Sequence, residues 1–163
     1  MRIIVIKKRG LISLESVKAF FADKAPEIEV IELPTSTATV ALAAEAHGVE
    51  PGQIAKTLSF SAKDQTILIV TRGDARIDNR KFKDRFGTKP RMLDAESVLN
   101  ETSHPVGGVC PFGLPSALPV YCDLSLKSFE EVVPAAGATN SAVRITPQKI
   151  AELVSAEWID VCQ

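Results

Sequence analysis

With 163 residues, 45% apolar and 24% charged, the chain is long enough for one compact domain with a real core and too apolar to be disordered. A net charge of −1 argues against a surface built for extended nucleic-acid contact, so any such contact uses a local patch. No apolar run could span a bilayer, and IIVI in MRIIVIKKRG is too short for a signal-peptide core, so the chain reads as a cytosolic (cytoplasmic) protein.

Residues 1–12 are expected to be a short extra strand or a disordered extension, ahead of a single domain over 13–163. SLESVKAFFADK (13–24) has Leu14, Val17, Phe20 and Phe21 at helical spacing, with Ser13 placed as a cap. IEVIEL (28–33) alternates apolar and acidic residues, the pattern of a half-buried strand. TATVALAAEAHG (37–48) predicts an alanine-rich helix capped by Ser36 or Thr37 and stopped by Gly48. AKTLSFSA (55–62) and QTILIVTRG (65–73) predict two strands joined at Lys63-Asp64. The second is apolar almost throughout, which places it centrally in a sheet.

RIDNRKFKDRFG (76–87) predicts a short basic helix and DAESVLNE (94–101) another, capped by Asp94. A glycine- and proline-rich loop (105–119) separates them from strands expected at 119–125, at the start of 129–137 and at 141–147. PQKIAELVS (147–155) opens a helix with proline in its first turn, and EWIDVCQ closes the chain as a strand. Hairpin-linked strands and irregularly placed helices predict the α+β class: a mixed, mostly antiparallel sheet wrapped by short helices. No helical crossover fits between 55 and 73, which disfavours a parallel doubly wound fold.

Three cysteines, Cys110, Cys122 and Cys162, are odd in number, widely spaced and free of CxxC, so neither a disulfide framework nor a structural metal is expected. His47 and His104 lack paired-ligand spacing. A Cys110–His nucleophile pair is the sharp reading of GGVCPFGLP (107–115). The plain reading puts His47 at a helix end and His104 in a surface loop.

The glycines of that loop open the main chain to a ligand, so free N–H groups could face a carbonyl or the oxyanion formed from it. The plain alternative is a tight connection. Lys56, at a strand start, could hold a phosphate or hydroxyl, or be a solvated edge residue. The segment 76–91 carries seven basic residues against Asp78 and Asp84, a patch for a nucleic-acid backbone or a solvated helix face.

ALAAEAHGVEPGQIAKTLSF, ILIVTRGDARID, GGVCPFGLP, PVYCDLSL and AAGATNSAVRITP, in that order, resemble the YbaK/EbsC-like prolyl-tRNA editing domains from about residue 13 to the C-terminus. The resemblance implies a sheet curled into a partial barrel with surrounding helices. It also implies a trans-acting aminoacyl-tRNA deacylase that removes alanine, cysteine or a similar small amino acid from tRNA for proline. A proline pocket rejects such residues weakly, since a methylene-sized difference is worth only about 1–3 kcal/mol.

Lys56, Gly107 and Gly108 then fall on catalytic positions, the glycines presenting main-chain donors to the aminoacyl carbonyl. Thr37, Val109, Cys110, Pro111, Phe112 and Asn140 fall around the substrate. A hydroxyl of the terminal ribose helps position water, so no protein nucleophile, metal or organic cofactor is implied. Lys81, Lys83 and Arg85 would meet the acceptor stem. The partners implied are aminoacyl-tRNA, through its terminal adenosine and acceptor stem, and a prolyl-tRNA synthetase. No membrane is involved, and the default state is a monomer.

Some cysteine- or alanine-directed members carry an acidic residue near Ala142. This chain has GATNSAVRI, so the amino acid removed does not carry over. A non-catalytic nucleotide- or tRNA-binding module of the same fold is the alternative function, and a thiol hydrolase using Cys110 is a third.

Overall fold

The computed structural model describes residues 9–163. The extension expected at 1–12 lies outside the described residues up to position 8. From Arg9 onward the chain is already helical, so α1 runs Arg9–Lys24 and Ser13 lies inside it rather than capping it. The short β1 (Ile31–Glu32) follows, then α2 (Val40–His47). The cap of α2 is Thr39, whose side chain accepts from the Leu42 N–H, and not Ser36 or Thr37. Gly48 closes α2 in the left-handed region at φ 68°, a conformation glycine adopts without a Cβ penalty.

Strands β2 (Ile54–Ala62) and β3 (Gln65–Arg72) form an antiparallel hairpin. Its turn residues, Lys63 and Asp64, both have positive φ, which matches the right-handed twist of the strands it joins. Helix α3 (Asn79–Phe86) starts at the Asp78 cap, three residues later than expected, because the Asp78 carboxylate accepts from the N–H groups of Arg80 and Lys81. Helix α4 (Ala95–Thr102) is capped by Asp94 as expected. The remaining elements are β4 (Val120–Asp123), β5 (Val133–Pro134), β6 (Ser141–Ala142), α5 (Pro147–Val154) and β7 (Glu157–Ile159).

The sheet is mixed. The hairpin ladder, the β1–β6 ribbon and the isolated bridges are antiparallel, and three short ladders are parallel. The main sheet has the order β5-β2-β3-β4-β7, which puts the apolar β3 at its centre. Ala142 pairs with Ile31 and bridges Ala135, so β5 leads into the ribbon and the sheet curls there into a partial barrel.

Both faces of β3 are covered, which is why its sequence is apolar rather than alternating. Leu68 and Val70 meet Val17 and Phe21 of α1 and Ile150 of α5. Ile67 and Ile69 meet Phe82 of α3 and Val161. Strands β1 and β6 are far shorter than the runs expected at 28–33 and 141–147, and β5, expected at the start of 129–137, covers only Val133–Pro134. Each is a brief non-local pairing, and the rest of its run serves as connection.

Candidate functional site

One cleft of about 310 Å³ opens along β2. The wall from β2 runs from Ile54 to Ser59 and includes Lys56 and Thr57. Helix α2 and the segment entering it supply Thr37, Ala38, Thr39, Val40, Ala43 and His47. The glycine loop supplies Val106, Gly107 and Val109. Met92 and Val106, both on the lining, are 61% and 60% exposed, so the cleft carries an apolar rim.

Two features suit this cleft to a carbonyl that gains negative charge. Gly107 and Val109 line it, and the N–H of neither has a hydrogen-bond partner among the described residues. The N-terminus of α2 also borders it, and that end carries the positive pole of the helix dipole. Gly107 has φ 92°, and a Cβ there would lie 2.8 Å from Ala38 Cβ, so the loop can press against the segment entering α2 only because the residue is glycine.

Gly108 departs from its expected role. Its N–H donates to Pro105 O at 2.8 Å, and its carbonyl accepts from the Gly137 N–H at 3.0 Å. It is buried against Gly137 and Ala138, where a Cβ would meet backbone at 2.9 Å, and it braces the loop instead of facing the cleft.

Cys110, Pro111 and Phe112 do not line the cleft either. All three are buried, with Phe112 packed edge-on against Phe21 and tilted against Phe20 of α1. Burial pushes the Cys110 thiol up to about 12, so it stays protonated, which removes the nucleophile reading.

His104 is 0% exposed and is no surface-loop residue. Its Nε2 lies 2.8 Å from Phe112 O, which can only accept, so that nitrogen carries the proton. Ser13 Oγ donates its one proton to Gly137 O at 2.6 Å, and its oxygen lies 2.6 Å from His104 Nδ1. Cys110 Sγ is 3.6 Å from Nε2 but faces a nitrogen that is already donating. This network clasps both ends of the 104–112 loop to α1. Burial lowers the His104 pKa below its ordinary value, and the hydrogen bond to Phe112 O opposes that.

Lys56 lines the cleft, and its Nζ donates to Ala75 O at 2.6 Å. Burial lowers its pKa, with the nearby Cys162 and Asp74 pulling the other way. Thr37 lines the cleft and is fixed by hydrogen bonds from its N–H and hydroxyl to Thr139 O. Asn140 does not line it. The Asn140 side chain donates to Leu33 O at 2.9 Å while its carbonyl accepts from the Leu33 N–H, which ties down β1.

The basic helix is partly spoken for. Lys81 pairs with Asp160 at 3.0 Å and Arg85 with Glu157 at 2.6 Å, both partners near the C-terminus, whereas Lys83 is exposed without an ion pair among the described residues. Such exposed pairs are worth at most about 1 kcal/mol, so a phosphate could displace either.

Sequence reasoning missed His47 and Thr57. Both line the cleft, and His47 Nε2 and Thr57 Oγ1 are buried with no hydrogen-bond partner among the described residues. Thr57 follows Lys56 directly, but nothing in AKTLSF marks it, since its burial depends on what packs over β2. His47 is the last residue of α2, where a cation is ordinarily favoured, yet burial first and the Arg144 charge second lower its pKa. Cys110, Cys122 and Cys162 are free and buried, and no helix among the described residues is long and apolar enough to cross a membrane.

The fold and site together define an α+β domain whose curled sheet borders a cleft, with main-chain donors unpaired among the described residues where the segment entering a helix meets a glycine loop. A family model described as the aminoacyl-tRNA editing domain matches residues 35–153, and the chain belongs to that family, in line with its YbaK-type motifs.

The chain is 51% identical to the uncharacterised protein YwhH of Bacillus subtilis (strain 168), over 93% of this chain and 98% of the relative. It is 37% identical to the proline–tRNA ligase of Moorella thermoacetica over 48% of this chain, and there it spans only 14% of the ligase. A crystal structure of a candidate trans-editing enzyme for prolyl tRNA synthetase superposes with a TM-score of 0.85 at 33% identity, covering 93% of this chain and 97% of that one.

Proposed function

We propose that the protein is a free-standing deacylase that hydrolyses the ester of mischarged tRNA, with tRNA for proline as its substrate. The observation that carries this reading is the convergence, on one cleft, of the α2 N-terminus with the unpartnered N–H groups of Gly107 and Val109. In the reaction, water oxygen bonds to the ester carbonyl carbon, and the bond from that carbon to the ribose oxygen breaks. The proton lost by water ends on the ribose oxygen. The two N–H groups and the helix dipole stabilise the oxyanion that exists between the two events. A neighbouring ribose hydroxyl orients the water, so the inert Cys110 is not required.

The exposed Met92 and Val106 form an apolar rim against which the terminal base can lie. Lys56 contacts the terminal nucleotide after its ammonium leaves Ala75 O. Lys83 and the displaceable Lys81 and Arg85 meet acceptor-stem phosphates. The protein acts as a monomer, on tRNA released by or handed over from a prolyl-tRNA synthetase.

The test is release of amino acid from tRNA mischarged with alanine, cysteine or serine, by the wild type beside Lys56→Ala. Wild-type turnover that falls at least about tenfold in the variant is the expected result, within the range for a lost positioning contact. Turnover untouched by the substitution removes Lys56 from the mechanism. A second reading, a binding module without turnover, draws on the Lys56 ammonium being tied to Ala75 O at 2.6 Å. Binding of mischarged tRNA with no release of amino acid selects that reading.

A further inference from the structure

We infer that the cleft selects an amino acid whose side chain carries a hydroxyl, serine foremost, and that Thr57 and His47 read that hydroxyl. This rests on the deacylase reading above and names its substrate.

Among the described residues, only two buried side-chain polar atoms lack a hydrogen-bond partner, Thr57 Oγ1 and His47 Nε2. Both belong to the lining of the same cleft. Buried polar groups are almost always paired, so two exceptions in the lining of one cleft, one from β2 and one from α2, mark a place where a ligand or an exchangeable water completes them. Ser59, 4% exposed, adds a third hydroxyl-bearing residue along that wall.

The chemistry of the missing partner follows from what surrounds it. No Asp or Glu lines the cleft, so a cationic side chain would be left unpaired. In the deacylase reading the ammonium of Lys56 is taken up by the terminal nucleotide, and burial together with Arg144 keeps the imidazole of His47 toward its neutral form, so an anionic side chain finds no free cation among the residues lining the cleft. A threonine hydroxyl and a neutral imidazole each donate and accept, and the group that answers both is a hydroxyl.

Size narrows the choice. Ala43, Ala55, Ala135 and Ala142 frame the wall, and about 310 Å³ must hold the ester and its ribose as well. What remains suits a side chain no larger than proline. Alanine leaves both polar atoms unpaired, and cysteine offers only a weak S–H donor.

The experiment measures kcat/KM on seryl-, alanyl- and cysteinyl-tRNA for proline, with the wild type, Thr57→Val, Thr57→Ser, His47→Leu and His47→Gln. The wild type is expected to prefer the seryl over the alanyl ester by at least about tenfold, the discrimination a hydroxyl-reading site can readily exceed. Thr57→Val should collapse that ratio by about tenfold, whereas Thr57→Ser, which keeps the hydroxyl, should hold it. His47→Gln should preserve more of the ratio than His47→Leu. An alanyl ester cleaved as well as the seryl ester by the wild type overturns the inference, as does a ratio unchanged in a folded Thr57→Val protein. Hydrolysis of alanyl but not seryl ester overturns this inference alone and leaves the deacylase reading standing. No hydrolysis of any ester overturns both.

Discussion

His104 and His47 are both drawn below the ordinary imidazole pKa chiefly by burial, but one has a partner on each ring nitrogen and the other has none on Nε2. His104 sits behind the glycine loop, in the core side of the fold, and joins Ser13, Phe112 and Cys110. His47 sits across β2, on the cleft. The contrast separates two uses of a buried imidazole nitrogen. A fully satisfied network rigidifies a loop, and a half-satisfied one is kept only where something outside the fold completes it.

The largest expected effect is on stability. His104→Leu should destabilise the protein by about 3 kcal/mol, because the buried Phe112 carbonyl loses its imidazole donor and Ser13 Oγ loses its contact with Nδ1. His47→Leu should change stability by less than about 1 kcal/mol, since no hydrogen bond to Nε2 is broken. Urea unfolding of the two variants checks this, and equal losses would erase the distinction.

A pH series sharpens it. The folded-state pKa of His104 is depressed from 6.5, so its contribution is fully present above pH 6.5 and drains away as pH falls through the folded value. The unfolding midpoint of the wild type should therefore drop below pH 6.5 more steeply than that of His104→Leu. Parallel curves would mean that His104 is not the titrating group.

Cys110 provides the third test. With thiols raised to about 12, Cys110, Cys122 and Cys162 should resist a thiol reagent in the native protein and react on unfolding. Cys110→Ala should keep turnover within about threefold of wild type, as expected of a residue outside the chemistry. Loss of turnover in a folded Cys110→Ala protein would move the chemistry to the His104 side.

The smallest effect is a control. Asp64 holds φ 65° in the β2–β3 turn, so Asp64→Gly should raise stability by about 0.5 kcal/mol through relief of the left-handed backbone. That gain touches neither histidine. It should leave the seryl-to-alanyl ratio unaltered and so distinguish global stability from events in the cleft.

Much of the fold was legible locally. Asp94, Pro147 and Gly87 mark helix ends through groups a few residues apart, and the apolar run of β3 already says that both its faces are covered. Strands β1, β5 and β6 were over-read because their lengths are set by partners far along the chain. The ion pairs on the basic face of α3 are not legible for the same reason, since Glu157 and Asp160 lie more than seventy residues beyond the bases they meet.

The sequence by itself determined the class of fold, the family motifs and the main-chain character of the glycine loop, because those depend on local propensity and on residue types in order. Only the tertiary structure decided which side of that loop meets the cleft. It put Gly107 and Val109 on the cleft and Gly108, Cys110 and Phe112 in the body of the protein. It also decided that His104 is satisfied while Thr57 and His47 are not. Hydrogen-bond partners are settled by packing between distant segments, and no spacing within one segment encodes them.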